Sequence, residues 1–512
     1  MAKAPYPTPL RSRASAPGKL ILFGEHAVVY GHTAVAVALS SMRVTVEAEL
    51  CDDGDGTLEA TLHDLPSACG RGPVRADVPL SALAAAMLPT RASEERSDDG
   101  WRTPLAAGAR VIEALHRELG GAPEADKAAL VPLLFLAASL LPQLGARVGG
   151  RLRVGVRSAG LPVGAGLGSS AAFSVAVAAA LLRLQLLLRE RLGSTAASDL
   201  ALLEGGPRAA DGAATSAEAG GAKAGGGRSG AGGSGGRVAG TGEEGCREAE
   251  TSTPSSAARE LINGWAYCAE CILHGTPSGL DNAVSCEGGG MRLQRAGRES
   301  GAALRFEPIA SLRPMTVLVT NTNVPRSTRR LVAKVRALRD AQPALTEALF
   351  GAVASVAEAF LAATASSEAR LSAELPELVR INHGLLVSLG VSGAALEDVV
   401  ATAAEHGLAT KLTGAGGGGC AISVVGVGGA ARGEASKSAD AARRRLEAKG
   451  YNCHLTSVGG DGVLYHAPQA AGETAARAAP SGGLARAAAA AAAVVVAAAL
   501  AAAAAARSHA TA

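Results

Sequence analysis

Three glycines and two hydroxyl side chains crowd the stretch Pro162, Val163, Gly164, Ala165, Gly166, Leu167, Gly168, Ser169, Ser170, directly ahead of a long apolar run. Glycines leave backbone N–H groups uncovered, and a helix starting just beyond them adds unpaired donors and the positive end of its dipole. The natural guest is an anion such as a nucleotide phosphate. The pattern is neither G-x-x-x-x-G-K-[ST] nor a dinucleotide fingerprint, because Gly164, Gly166 and Gly168 alternate and the run ends in hydroxyls. Ser169 and Ser170 stand where an oxygen caps the helix or reaches a cation bound to phosphates. Farther on, Glu270 and Asp281 lie eleven residues apart across Gly275, Pro277 and Gly279, which end any helix. Either the two carboxylates converge, one on a divalent cation and the other as proton acceptor, or Glu270 is a solvated helix end and Asp281 a cap. Arg326, Arg329 and Arg330 concentrate positive charge after Pro325. Five glycines then fall within residues 414–419, marking a close approach by a ligand or another segment, or a bulge.

The elements that must carry these groups are visible in the apolar patterning. Residues 18–50 hold short apolar runs, KLILF, AVVYG, TAVAVAL and the alternating MRVTVEAEL, which predict strands joined by turns. In RLRVGVR, Leu152, Val154 and Val156 face one way and Arg151, Arg153 and Arg157 the other. That strand runs into the glycine loop, and residues 169–189 follow as a nearly all-apolar helix. The result is a strand–loop–helix unit with its amides aimed at the helix start. A second helix over 257–273 carries Glu270. The strand TVLVT spans 316–320, and Ser327 or Thr328 opens a helix after Pro325. Helices over 344–364 and 367–389 precede the second glycine cluster and another strand.

The chain has 512 residues, 48% hydrophobic and 19% charged, enough for more than one core. A net charge of +3 and 3% aromatics supply no basic stripe with stacking platforms, which argues against nucleic acid as partner. The eight cysteines fit reduced thiols in a cytoplasmic setting, with Cys268 and Cys271 as small core residues rather than a metal pair. Residues 204–256 are nearly pure Gly, Ala, Ser and charge and predict a disordered insertion. A low-complexity, Ala-rich tail covers 470–512. Within it, residues 487–506 are all Ala, Val or Leu, sixteen of them alanine, which predicts a helical extension rather than a membrane anchor. The N-terminus has no apolar segment of the kind a secretory signal needs.

Five segments then stop being independent: APGKLILFGEHAVVYG (16–31), PVGAGLGSSAAFS (162–174), HGTPSGLDNAVS (274–285), NTNVPRSTRRLVAKV (321–335) and KLTGAGGGGC (411–420). In order and spacing they resemble the GHMP family of small-molecule kinases, and GEHAVV, HGTPSGLDN and NTNVPRST resemble its mevalonate branch. The resemblance implies an α+β fold of two domains. The first, over 11–307 and interrupted by the insertion, is similar to the ribosomal protein S5 domain 2 fold; the second, over 308–468, is ferredoxin-like. It implies transfer of the ATP γ-phosphoryl group to the C5 hydroxyl of (R)-mevalonate, in the pathway to isoprenoids and sterols. Pro162 and Gly164 to Ser170 look like the triphosphate cradle, with Gly414, Gly416 and Gly417 near the same phosphates. Ser170 and Glu270 resemble the Mg²⁺ ligands, Asp281 the catalytic carboxylate and Lys19 the cation beside it, also near ATP. Glu25, His26 and Thr328 lie where the family contacts substrate or supports the site. A homodimer and inhibition by isoprenoid diphosphates are further implications. Phe173 departs from the tyrosine that close relatives often carry. The alternatives are another kinase of the family, such as one for galactose or phosphomevalonate, and an idle homologue that only binds nucleotide.

Overall fold

The structure, a computed structural model, describes residues 9–51, 54–70, 72–87, 104–141, 150–193, 251–275, 277–295, 304–428 and 433–467. Along the N-terminal half run β1 (Leu10–Phe23), β2 (Ala34–Cys51), β3 (Thr57–Pro66), β4 (Pro73–Pro79), α1 (Leu80–Met87), α2 (Pro104–Glu118), α3 (Glu124–Leu140), β5 (Arg151–Ala159), α4 (Ser169–Arg191), β6 (Thr251–Ser252), α5 (Ser256–His274), α6 (Leu280–Glu287), β7 (Gly290–Arg295) and β8 (Leu304–Pro308). The C-terminal half adds β9 (Met315–Asn321), α7 (Thr328–Ala341), α8 (Pro343–Ser366), α9 (Glu368–Ser388), α10 (Ala394–Ala404), β10 (Ala409–Leu412), β11 (Cys420–Val427), α11 (Glu434–Ala448), β12 (Asn452–Val458) and β13 (Leu464–His466).

The long strand β2 organises the first half. Its residues Ala34 to Leu39 are buried on both faces, whereas Met42 onward alternates buried and half-exposed, as one covered face requires. It pairs antiparallel with β1, with β5 over Arg43–Cys51 and with β7 over Ala34–Val37. On β5 the predicted alternation holds: Leu152, Val154 and Val156 are buried, while Arg151 and Arg153 reach Glu59 on the open face. Helix α4 packs against β1, β2, α3 and α5, so most of its residues from Ala171 to Leu188 are covered. A helix enclosed on several sides has no polar stripe, and its all-apolar sequence is that of a core helix.

In the second half the spatial order β10-β11-β9-β12 is antiparallel throughout. Numbered along the chain this is 2-3-1-4, the ferredoxin-like order, with α7 to α10 crossing between the first two strands and α11 between the last two. The two sheets meet where Val458 of β12 pairs with Leu39 of β2. Strand β13 then returns to β1 through Arg13↔His466, Ala14↔Tyr465 and Ser15↔Leu464.

Two stretches differ from the sequence reading. The run AVVYG is a single 3-10 turn, Ala27–Tyr30, because Gly24 (φ 96°), His26 (φ 61°) and Gly31 (φ 93°) reverse the chain on either side. The end of the predicted insertion also belongs to the fold: Thr251–Ser252 forms β6 against β13, and the Ser255 hydroxyl caps α5 by accepting from the Ala258 amide. The rest of 204–256 and the tail 470–512 lie outside the described residues.

Candidate active site

The glycine loop is built as the sequence demanded. Gly164, Gly166 and Gly168 all take positive φ, 75°, 79° and 70°, and Gly168 is the residue before α4. A Cβ at Gly168 would lie 2.9 Å from Lys19 Cγ, and the Lys19 amide donates to Leu167 O at 2.8 Å. The loop therefore wraps one lysine of β1. That lysine, nearly buried, ends 3.0 Å from Asp281 Oδ1 at the start of α6. Asp281 stands in the first turn of a short helix that follows Gly279, whose φ of 78° lies in the left-handed region.

In the first turn of α4, Ser170 Oγ donates to Glu270 Oε2 at 3.2 Å, and one turn on Ser174 Oγ donates to Glu270 Oε1 at 3.1 Å. His274 Nε2 lies 3.1 Å from Ser170 Oγ. Glu270 is 3% exposed, and its carboxyl is pushed up to about 7, first by burial and then by the charge of Asp281, against the pull of the two serines and Lys19. A cavity of about 180 Å³ is lined by Ser170, Glu270, His274, Ser278, Asp281 and Asn282, among others. Both carboxylates thus face one space at the N-terminal end of α4. The alternative of a solvated helix-end glutamate does not describe Glu270.

Glu25, His26 and Thr328 are not among the residues lining this cavity. Glu25 is wholly buried, accepting from Lys411 Nζ and, at 3.1 Å, from Asn382 Nδ2. Burial pushes its carboxyl up and the Lys411 ammonium down, and each is retained by contact with the other. His26 Nε2 faces Ala415 O at 3.0 Å, an acceptor, so that nitrogen carries the proton; burial pulls the imidazole down. His26 ties the end of β1 to the second glycine loop, and Glu25 ties it to β10 and α9. Thr328 is exposed at the first turn of α7, capped by Ser327 Oγ accepting from the Arg330 amide.

That second loop is held by the chain around it. Gly417 N donates to Val391 O at 2.8 Å and Gly419 N to Val324 O at 3.2 Å. A Cβ at Gly416 would stand 2.1 Å from Val391 O, and one at Gly417 2.9 Å from Leu331 Cδ1. These glycines serve close packing, and the amides of Gly417 and Gly419 are already in use. Sequence reasoning did not single out Ser174, His274, Asn382 or Lys411. For the first two a signal existed, since Ser174 is four residues after Ser170 and His274 four after Glu270, on the same helix faces. Phe173 is half-buried and packs against the main core. Cys268 and Cys271 are buried side chains of α5.

Two family models match the chain, described as GHMP kinases N terminal domain over residues 133–217 and GHMP kinases C terminal over 363–452. The class defined by fold and site is that of the GHMP kinases. The mevalonate kinase of Bos taurus is 33% identical over 88% of this chain and 94% of its own length. That of Arabidopsis thaliana is 29% identical over 88% and 98%. The mevalonate kinase of L. major, solved in complex with R-mevalonate, superposes with a TM-score of 0.54 at 19% identity, covering 90% of this chain and all of that one. The M. jannaschii enzyme gives 0.51 at 16% identity, covering 87% and 97%. The chain belongs to the mevalonate kinase family.

Proposed function

We propose that this chain transfers the γ-phosphoryl group of ATP to the C5 hydroxyl of (R)-mevalonate, giving 5-phosphomevalonate and ADP. The observation that carries the reading is Asp281, paired with Lys19 at 3.0 Å and lining the same cavity as Ser170 and Glu270, in a chain about 30% identical to mevalonate kinases over most of its length. Phosphoryl transfer needs little covalent chemistry from the protein, so positioning and charge complementarity do most of the work. The amides of the 164–168 loop and the first turn of α4 receive the polyphosphate. Asp281, oriented by Lys19, orients the C5 hydroxyl and takes its proton as the new O–P bond forms.

Ser170 and Glu270 fit a magnesium ion. Their oxygens are neighbours, all-oxygen donors suit a hard cation, and Glu270 is a buried carboxylate whose nearest cation, Lys19, is engaged by Asp281. When bound there, Mg²⁺ supplies charge neutralisation of the β- and γ-phosphates. Ser174 and His274 hold the two ligands in place.

The test is ADP release with Mg²⁺-ATP and (R)-mevalonate, with galactose as control, for the native chain, Asp281→Asn and Asp281→Ala. Both variants are expected to lose about 10²- to 10⁴-fold in kcat while still binding nucleotide. Turnover with galactose in place of mevalonate would move the chain to another branch, and nucleotide binding without turnover on either would make it a binding protein.

A further inference from the structure

Arg326 follows β9 and Pro325, and its half-buried side chain lies across the two glycine loops. A Cβ at Gly166 would fall 1.3 Å from Arg326 Nη2, one at Gly414 3.0 Å from Nη1 and one at Gly419 2.9 Å from Cδ. The guanidinium thus lies against bare backbone of both glycine loops, and at all three positions φ is positive: 79°, 75° and 70°. Nη1 is buried and has no hydrogen-bond partner among the described residues. No described carboxylate pairs with the group, whereas Lys19, the neighbouring cation, is paired with Asp281. Burial pulls Arg326 down from its ordinary value, and Cys420 and then Asp281 act on it in the opposite sense.

A guanidinium with a buried, idle donor and no paired carboxylate is a costly arrangement unless an anion completes it. Its place narrows which anion. One loop receives the polyphosphate and Asp281 receives the hydroxyl proton, so the transferred phosphorus must sit between them. Arg326 lies against the first of these at Gly166, and Asp281 acts on it through charge. We propose that Arg326 is a catalytic residue that donates to the γ-phosphate of the nucleotide, a cis arginine kept in place by the two glycine loops. The inference rests on the kinase reading above. In the step, the C5 oxygen bonds to the γ-phosphorus and its proton passes to Asp281. The bond from that phosphorus to the β–γ bridging oxygen breaks, its electron pair leaving with ADP. Arg326 stays protonated throughout and meets the charge that spreads over the equatorial oxygens.

The experiment compares Arg326→Gln and Arg326→Lys with the native chain by calorimetric titration of ATP and ADP without acceptor, and by kcat and KM for mevalonate. Arg326→Gln is expected to weaken ATP at least about tenfold and ADP less than about threefold, and to cut kcat about 10²- to 10³-fold with KM nearly unchanged. Lysine keeps the charge but not the fork, so its kcat is expected between the two. Equal losses for ATP and ADP, or an unchanged kcat, overturn the proposal. If Arg326→Gln does not fold, a lysine variant with native kcat and a native ATP-to-ADP ratio overturns it equally. The binding arm needs no acceptor: loss of ATP preference in a chain that phosphorylates neither mevalonate nor galactose would fail the substrate reading and keep the role of Arg326.

Discussion

At the scale of single residues, the site separates groups that act on ligands from groups that set their geometry. Ser174 belongs to the second kind: its hydroxyl donates to the buried Glu270 oxygen that Ser170 does not reach. Removing it leaves the carboxylate with less support for its charged form. Ser174→Ala is expected to raise the Mg²⁺ concentration needed for half-maximal turnover by about tenfold, as losses behind a metal ligand commonly do, with KM for mevalonate unchanged. A magnesium titration at saturating ATP checks this, and an unchanged half-point would remove Ser174 from that role. The glycine–serine loop was legible because it is contiguous and its residue types are unusual together, whereas Glu270 and Asp281 stand eleven residues apart and the residues alone left their convergence open. Lys19 meets Asp281 from the other end of the half-chain, and no spacing rule links them; the family resemblance supplied that pair. Lys411 and Asn382 were not found at all, since nothing local marks a lysine or an asparagine destined for burial.

At the scale of elements, alternation gave β5 correctly and continuous apolarity gave α4, because each pattern matches one burial geometry. The four apolar residues of AVVY match several, and the positive φ of His26 that turns them is unreadable from a histidine. Strand β13 carries a titrating group whose effect has a definite sign. His466 Nε2 lies 2.7 Å from Ser15 Oγ, and its value is pulled down to about 4 by burial and then by Arg13, Arg43 and Arg183. Between about 6.5 and about 4 the unfolded chain takes a proton that the folded chain refuses, so stability is lost as pH falls through that window. His466→Gln removes the difference. Its melting temperature is expected to fall less than that of the native chain between pH 7 and pH 4.5, and an identical fall in both would refute the assignment.

For the whole molecule, the contact of Glu25 with Lys411 and Asn382 joins the end of β1 to β10 and α9 with side chains that are fully enclosed. Such a pair adds little over apolar packing, but breaking one side strands a charge. Lys411→Met is expected to cost about 3–5 kcal/mol in urea denaturation, and the double variant Glu25→Leu/Lys411→Met to recover most of it. Strictly additive losses would show that the two residues are uncoupled. The return of β13 to β1 has a consequence for synthesis. Residues 464–466 complete the edge of a sheet whose other strands leave the ribosome well before them. At ordinary elongation rates that edge waits roughly 20–90 s for its partner, its amides and carbonyls open to any passing strand. The newborn N-terminal half therefore carries an unpaired strand edge until the last described strand arrives.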